Sequence, residues 1–358
     1  MKKLLVDIYL AHNLGDDMFL DFLSKKFPNT EITVYHPGSN YDSFIANYNN
    51  LNKLPYTFFD KILRRIRIYN RLNDYNRLAK EYDILLFLGG GIFREEPYWE
   101  ELYKYRNQIV NSFNFHKKPI YILGSNFSNF KTKLFRDKYY NLFKKCTDVC
   151  FRDSYSYNIF KSLKNIRLAP DILWDYPISY NITKANKTIG FSLINPSHKH
   201  LLKKYKNQYV DVTVETVMNA LKDNYKVKLF SFCEIEGDLN IINLIMNKIS
   251  IDYHNQIEII EYKNRIDDIL QEISSLNIFI ASRFHAVLLG LRLNINTIPI
   301  SYNIKTTNLL NDINFKGKII NFDSLDELKK IDLQNLKTRY DSPSTMEKHF
   351  DRLNNNCD

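Results

Sequence analysis

The chain has 358 residues, of which 44% are hydrophobic and 14% aromatic, and these values are typical of globular proteins and exclude a disordered chain. The formal net charge of +10 has two explanations. The protein binds an anionic partner, or, more simply, its lysine-rich surface keeps it soluble. The lysines are scattered along the chain and no nucleic-acid-binding motif is present, so we expect no nucleic acid among its partners.

Cysteine usage and hydropathy predict a cytoplasmic protein. The four cysteines form no CxxC pair and no nearby histidine completes a zinc set, so we expect reduced thiols and no metal site. The N-terminal sequence MKKLLVDIYLAHNLGDD turns polar too soon for a signal peptide. No apolar run reaches the roughly 18 residues of a membrane span, so any work at a membrane would take place at its surface.

Short apolar runs alternate with longer amphipathic segments in the first half of the chain. The run LLVDIYLA predicts a strand, and the next segment predicts a helix that places Phe19, Leu23 and Phe27 on one face. The basic, aromatic segment 41–80 has no clear assignment. The other predicted strands are EITVYHP, DILLFLGGG, PIYILGS and DVCFRD, and the other predicted helices are YWEELYKYRNQIVNSF, KTKLFRDKYYNLFKKC and SYSYNIFKSL.

The same alternation resumes at TIGFSLIN, after the polar stretch SYNITKANK, which we take as a domain boundary. We therefore predict an α/β protein with two Rossmann-like parallel-sheet domains that face a cleft, residues 1–180 and 185–330. A mostly helical tail is predicted over 331–358. Because ligands collect at the carboxyl ends of parallel strands, the strand ends are the places to search for function.

The first two strand ends that carry polar or glycine-rich sequence lie in the N-terminal half. Asn13 and Asp16 open the first helix, and we expect one to cap the helix and the other to contact a polar ligand. Gly15 lies between them and lets the backbone approach a ligand. Gly89–Gly91 follow a buried strand, where backbone N–H groups can hold an anion or a sugar hydroxyl, or where the glycines simply form a tight turn.

Two further strand ends carry charged residues. Asp153 is predicted to cap the helix that follows it. Arg152 either faces the cleft or forms a structural ion pair with Asp153, and the spacing favours neither alternative. Pro170–Asp171 close the first domain and are predicted to order a hinge.

The most specific feature lies in IFIASRFHAVLLGL, where an apolar strand ends at Ser282 and continues as an apolar helix. Arg283 and His285 are two residues apart and point the same way in an extended chain. Together they predict an anion-binding and proton-donating pair, and Lys305 after the next strand adds a second cation.

These strand-end motifs, in this order, resemble those of the polysaccharide pyruvyl transferase family. His12 departs from the family pattern, which usually has Gly there, and 294–296 stand where the family usually has Gly-x-Pro. The matching motifs are Asn-x-Gly-Asp at 13–16, the triple glycine at 89–91, Arg-Asp-x-x-Ser at 152–156, Pro-Asp at 170–171, Arg-x-His-Ala at 283–286 and Tyr-x-x-Lys at 302–305.

The resemblance implies a two-domain fold like that of GT-B glycosyltransferases. It also implies transfer of an enolpyruvyl unit from phosphoenolpyruvate to a sugar, which forms a cyclic pyruvate ketal. Phosphoenolpyruvate would be a co-substrate, so no cofactor and no metal are expected. The acceptor would be a sugar of a cell-surface polysaccharide or its lipid-linked oligosaccharide precursor. The basic surface is compatible with a peripheral contact at the inner face of the cytoplasmic membrane.

Within that reaction, His285 is predicted as the general acid, and Arg152, Arg283 and Lys305 as cations that hold the donor. We count Arg152, Arg283 and His285 as the catalytic set. A base could come from Asp16 or Glu95. The predicted acceptor contacts are Asn13, Asp16, Gly89, Gly90, Gly91 and Glu95.

Two other functions fit parts of the sequence. A GT-B glycosyltransferase that uses a nucleotide sugar would share the fold, and its cations would hold a diphosphate. A non-catalytic module that binds an acidic polymer would use the +10 charge. The concentration of charged residues at strand ends favours an enzyme over the second alternative.

Overall fold

The computed structural model describes residues 1–35, 41–55, 58–65, 71–178, 187–343 and 347–357. Contacts divide the chain into two units. Unit 1 consists of Met1–Leu10, Phe19–Ile172 and Thr345–Asp358, and unit 2 consists of Ala11–Met18 and Leu173–Ser344. This division differs from the predicted boundaries, because 11–18 group with the second unit and the end of the tail groups with the first. The predicted linker lies outside the described residues, except for Lys187.

Unit 1 is built on one parallel sheet. Its strands are β1 (Lys3–Ile8), β2 (Glu31–Val34), β3 (Leu51–Lys53), β4 (Ile84–Leu88), β5 (Ile120–Ser125), β6 (Asp148–Phe151) and β7 (Ile166–Leu168). They pair in the order β3-β2-β1-β4-β5-β6-β7, so the strand order reverses between β1 and β4. Every residue of β4 and β5 is buried, as expected for central strands of a parallel sheet covered on both faces.

The helices of unit 1 follow its strands. They are α1 (Leu14–Lys26), which begins in unit 2, and α2 (Asp42–Ile45), α3 (Phe58–Arg65), α4 (Tyr75–Glu81), α5 (Trp99–Phe115), α6 (Lys133–Phe143) and α7 (Ser154–Phe160). The described part of the segment without a sequence assignment thus contains β3, three short α-helices and a 3-10 turn at Arg71–Asn73. These elements are too short for their hydrophobic periodicity to identify them.

Unit 2 repeats the architecture with six parallel strands. They are β8 (Thr188–Ser192), β9 (Lys226–Ser231), β10 (Ile257–Glu261), β11 (Ile278–Ala281), β12 (Asn296–Ser301) and β13 (Ile320–Asn321). The order is β10-β9-β8-β11-β12-β13, which reverses between β8 and β11. Its helices are α8 (Lys206–Lys222), α9 (Asp238–Met246), α10 (Ile266–Ser274), α11 (Phe284–Arg292) and α12 (Ile304–Asp312). Two parallel α/β sheets confirm the predicted fold class.

The tail differs from its prediction. A helix, α13 (Asp351–Cys357), is present near the end, but the described residues 331–343 contain none. The Asp332 side chain accepts the N–H groups of Gln334 and Asn335, and such local bonds compete with helix formation. Across all the described ranges, every helix is too short or too polar to cross a membrane.

Helices α5, α8, α11 and α12 end in the same hydrogen-bonded motif. At the end of α11, Asn294 has a φ of +53°, its N–H donates to the Leu291 carbonyl at 2.8 Å, and the Ile295 N–H donates to the Gly290 carbonyl at 2.9 Å. This is a Schellman cap, which needs a left-handed residue. The chain has only 10 glycines. The left-handed position is filled instead by Lys117, Asn224, Asn294 and Asn314.

Replacing Asn224 with Ala should lower the free energy of unfolding of unit 2 by about 1 kcal/mol, because alanine tolerates the left-handed conformation poorly. Trp99 and Trp174 are the two tryptophans of the chain, one in each unit. Denaturant unfolding of the variant in a Trp99→Phe background therefore reports unit 2 through Trp174 fluorescence. Asn219→Ala, in the interior of α8, is the control and should cost nothing. Equal losses from both substitutions would contradict this role of Asn224.

Candidate functional site

Arg152 follows β6 and its guanidinium is buried in unit 1. Nη1 donates to Asp171 Oδ2 at 2.7 Å, and Nη2 donates to Asn126 Oδ1 at 3.0 Å. The Pro-Asp motif therefore supplies a counter-charge for Arg152. The ion pair considered from the sequence was with Asp153, but the structure shows the pair with Asp171, which is nineteen positions further on.

The other two polar residues of the Arg-Asp-x-x-Ser motif are structural. Asp153 caps α7, because its Oδ1 accepts the Ser156 N–H at 2.7 Å. The Ser156 hydroxyl accepts the Phe127 N–H at 2.7 Å and so holds the loop after β5. The predicted cap at Asp153 is confirmed.

The triple glycine forms a turn that passes over Arg152. Gly89 has a φ of +103°, its N–H donates to the Leu123 carbonyl at 3.0 Å, and its carbonyl accepts the Ser125 hydroxyl at 2.7 Å. A Cβ added to Gly90 would lie 2.8 Å from Arg152 Nη2. Gly90 is therefore required for close packing on the guanidinium. The Gly89 N–H is bonded within the unit, which argues against its predicted use for the acceptor.

Glu95 ties this turn to the start of α6. Its carboxylate accepts the Thr132 hydroxyl at 2.5 Å, the Thr132 N–H at 3.0 Å and the Lys131 N–H. Partial burial opposes the charge, but these hydrogen bonds lower the pKa of Glu95 below its ordinary value. A carboxylate with a lowered pKa is a weaker base, so the structure argues against the predicted base and acceptor roles and indicates a loop clamp.

In unit 2, Arg283 lies where the strand order reverses, at the carboxyl end of β11. Its Nε donates to Asp238 Oδ2 at 2.9 Å, its Nη2 donates to Asp238 Oδ1, and its Nη1 donates to Glu236 at 2.7 Å. All three side chains are largely buried, and Lys199 lies 2.9 Å from Glu236. The arginine is thus fixed in place and its charge is balanced.

The electrostatic effects of this cluster are mutual. Burial disfavours the charge of Arg283, but Asp238 and Glu236 raise its pKa well above the ordinary value. Burial likewise opposes ionisation of Glu236, but Arg283 and Lys199 lower its pKa to about 2. Neither carboxylate was predicted from the sequence, although Glu236 lies in the glycine-containing loop after β9 and Asp238 begins α9, a pattern of the kind used for the other sites.

His285 is buried in the first turn of α11, and its imidazole lies on Gly15. A Cβ added to Gly15 would be 1.7 Å from His285 Nδ1 and 2.1 Å from its Cγ. Only glycine fits at this position. The Asn-x-Gly-Asp motif and the Arg-x-His-Ala motif therefore meet within unit 2.

The segment that carries Gly15 is held by the loop after β9. The Leu14 N–H donates to the Phe232 carbonyl at 3.2 Å, and Asn13 forms an antiparallel bridge with Cys233. Asp238 in turn accepts the Cys233 N–H at 3.0 Å. The carboxylate that fixes Arg283 thus also fixes the loop that positions Gly15 beneath His285.

Asn13 takes the capping role that was predicted for one of two residues. Its Oδ1 accepts the Gly15 N–H at 3.2 Å at the start of α1. This leaves half-buried Asp16 as the candidate for a ligand contact. His12, where the family usually has Gly, has a φ of +46°, and its Nδ1 lies 2.8 Å from Asn264 Oδ1.

Lys305 lies in the first turn of α12, after β12, which pairs with β11. Asn303 caps that helix by accepting the Thr306 N–H at 3.1 Å. Lys305 therefore extends from the same sheet edge as Arg283 and His285, one strand away. The candidate residues fall into two groups, one in each unit. In the part of the chain that the structure describes, no three His, Cys, Asp or Glu side chains are grouped to hold a metal ion.

Replacing Asp171 with Ala should lower the free energy of unfolding of unit 1 by about 3–5 kcal/mol, because it leaves the Arg152 charge buried without its carboxylate. The control is Asp137→Ala, which breaks the exposed pair with Arg136 and should cost less than about 1 kcal/mol. Unfolding of unit 1 can be followed by Trp99 fluorescence in a Trp174→Phe background. A loss at Asp171 no larger than the control loss would contradict the buried ion pair.

The fold has relatives among solved structures at low sequence identity. UDP-GlcNAc 2-epimerase from Methanocaldococcus jannaschii has a TM-score of 0.62 and 11% identity over 99% of both chains. Anabaena Alr3699/HepE in complex with UDP has a TM-score of 0.57 and 12% identity over 92% of this chain and 88% of that one. These likenesses support the predicted GT-B-like, two-domain Rossmann fold and show the fold alone.

The sequence comparisons give the family. A search of curated protein sequences gave no match. The profile of the polysaccharide pyruvyl transferase family matches residues 13–304, a span that begins at Asn13 and ends between Tyr302 and Lys305. That span includes most of the chain and the motifs that meet around Arg152 and around His285, so this chain belongs to the polysaccharide pyruvyl transferase family.

Proposed function

We propose that this protein transfers the enolpyruvyl unit of phosphoenolpyruvate to a sugar of a cell-surface polysaccharide, or of its lipid-linked precursor, and forms a cyclic pyruvate ketal. The observation that carries the proposal is the packing of the His285 imidazole on Gly15 at the switch point of a parallel sheet. It joins two motifs of the family that are far apart in the sequence, at the sheet edge where ligands of such folds bind.

The proposed reaction needs one acid and a site for an anion. The imidazolium of His285 gives its proton to the methylene carbon of the donor, and the adjacent carbon becomes electrophilic. Two hydroxyl oxygens of the sugar bond to that carbon, and its bond to the phosphate oxygen breaks. Of the two hydroxyl protons, one restores the imidazolium and the other leaves with inorganic phosphate. The products are the ketal carboxylate and phosphate, so atoms and charge balance.

The contacts of Arg283 support a positioning role for this residue. Among the described residues, three of its five N–H donors serve Asp238 and Glu236. We therefore assign it chiefly to holding the turn that carries His285. Lys305 is the proposed cation for the donor in unit 2. The roles predicted for Arg152 at the donor, and for Asp16, Gly90 and Gly91 at the acceptor, stay predictions.

A nucleotide-sugar enzyme is the second candidate, because the fold resembles that of a UDP-GlcNAc 2-epimerase and of a protein solved with UDP. The two functions can be separated by their released products. The protein is incubated with phosphoenolpyruvate and a panel of p-nitrophenyl hexosides and N-acetylhexosaminides, and phosphate is measured. Parallel reactions with UDP-glucose and UDP-GlcNAc are assayed for UDP. Acceptor-dependent phosphate release supports the proposal, and UDP release without it would support the alternative.

Replacing His285 with Ala should lower the rate of acceptor-dependent phosphate release by about 10²–10⁴-fold, the usual contribution of a general acid. His200, which is exposed in the same unit, offers the matched substitution, and His200→Ala should leave the rate unchanged. Thermal unfolding of both variants checks that the fold is intact. Near-normal turnover by a folded His285→Ala protein would remove His285 from the mechanism.

Replacing Gly15 with Ala should reduce the same rate at least tenfold, because the added methyl group displaces the imidazole. In a His285→Ala background the substitution should cause no further loss, since its effect passes through that side chain. Gly317→Ala serves as the control, because the added methyl meets only the ring edge of Phe315, which can turn aside. Additive losses in the double variant would show that Gly15 acts on something other than His285.

A further inference from the structure

Large apolar side chains are exposed at the carboxyl edge of the unit 1 sheet. Tyr9 follows β1 and is 50% exposed, and Phe58 begins α3 after β3 and is 73% exposed. Tyr98 lies after the glycine turn that follows β4 and is 71% exposed, and Leu134 in the first turn of α6, after β5, is 52% exposed. We call these four residues the apolar rim. Each of the four lies in the connection that follows a different strand of unit 1, and in a parallel sheet those connections leave from the same edge.

Helix α3 exposes a second apolar side chain beside Phe58. Phe58, Ile62 and Arg65 are spaced by four and three residues, so they share one face, and all three are exposed. Asp60, on another face, is buried. The face of α3 that carries Phe58 and Ile62 is therefore an apolar surface that is open to solvent.

We propose that the apolar rim docks on the surface of an anionic lipid bilayer. Its members come singly from four separate segments, so they form scattered anchors, and two of the four are tyrosines, which favour the bilayer interface. Exposed cations accompany two of the four, because Arg65 shares the face of Phe58, and Lys131 and Lys133 precede Leu134, whereas the exposed carboxylates Glu96 and Glu100 flank Tyr98. The net charge of +10 attracts the whole chain to an anionic surface.

The docking edge also carries the glycine turn and Arg152, which follow β4 and β6. In a sheet with strands about 4.8 Å apart, β3 and β4 are three positions apart, so the end of the strand before α3 and the end of the strand before the glycine turn are separated by roughly 15 Å. Docking would present this edge to a sugar carried on a membrane lipid. That consequence rests on the proposed function, whereas the docking itself requires neither donor nor acceptor.

The test is co-sedimentation of the full chain with vesicles of phosphatidylcholine containing 30% phosphatidylglycerol, and with phosphatidylcholine alone, in low salt. The variant Phe58→Ser/Tyr98→Ser/Leu134→Ser removes three members of the rim. The control Phe115→Ser/Leu201→Ser/Ile251→Ser removes three apolar side chains that are at least as exposed elsewhere. Phosphate release with a soluble glycoside, where the proposed reaction occurs, should be the same in all three proteins.

We expect the original chain to bind the anionic vesicles at least tenfold more tightly than the neutral ones. The rim variant should lose at least tenfold in binding, and the control variant should bind normally. Failure of the original chain to bind, or equal binding by the rim variant, would overturn the proposal. A change of oligomeric state in the rim variant, measured by sedimentation velocity without vesicles, would instead assign the rim to contact between copies of the chain and would also overturn it.

Discussion

The geometry of the candidate site in unit 2 depends on one buried interaction, the pairing of Arg283 with Asp238. The carboxylate accepts two N–H groups of the arginine and also the backbone N–H of Cys233. It therefore fixes both the turn that carries His285 and the loop against which the segment 11–18 is held. A buried ion pair adds little net stability to the folded protein, but breaking it leaves an uncompensated buried charge. Arrangements that separate Arg283 from Asp238 are therefore unfavourable, and the pair holds the turn and the loop in one geometry.

Backbone conformation explains two departures from the family pattern. His12 and Asn294 both stand where the family usually has glycine, and both have positive φ angles. The left-handed conformation is thus kept although the residue differs. Its cost in conformational free energy is small for asparagine and larger for histidine. At Gly15 and Gly90 the constraint is different, because an added Cβ would meet the side chain of His285 or of Arg152, and there this chain has glycine as the family does. At these four positions, glycine is present where an added Cβ would clash and absent where only a left-handed torsion angle is required.

The sequence was sufficient to predict two parallel α/β units and the strand ends that bear the motifs, because apolar runs followed by polar residues mark those ends. It placed His285 at a strand end but did not show that Asp238 would pair with Arg283, since the partners come from loops whose proximity is set by strand order. The same limit applies to Arg152, whose partner is Asp171. Local bonds such as helix caps were predictable because both partners lie within a few residues. Ion pairs between residues that are far apart in the sequence could be identified only once the strand order was known.

In the proposed reaction the donor carbon receives a proton from an acid that exchanges with solvent, and isotope incorporation is the sharpest test of that step. The reaction is run in D2O with phosphoenolpyruvate and whichever glycoside of the panel supports phosphate release, and the product is examined by proton NMR and mass spectrometry. Protonation of the methylene carbon by such an acid predicts a ketal whose methyl group carries one deuterium. A product that keeps an unlabelled methyl group, or that still contains the methylene of an enol ether, would contradict it.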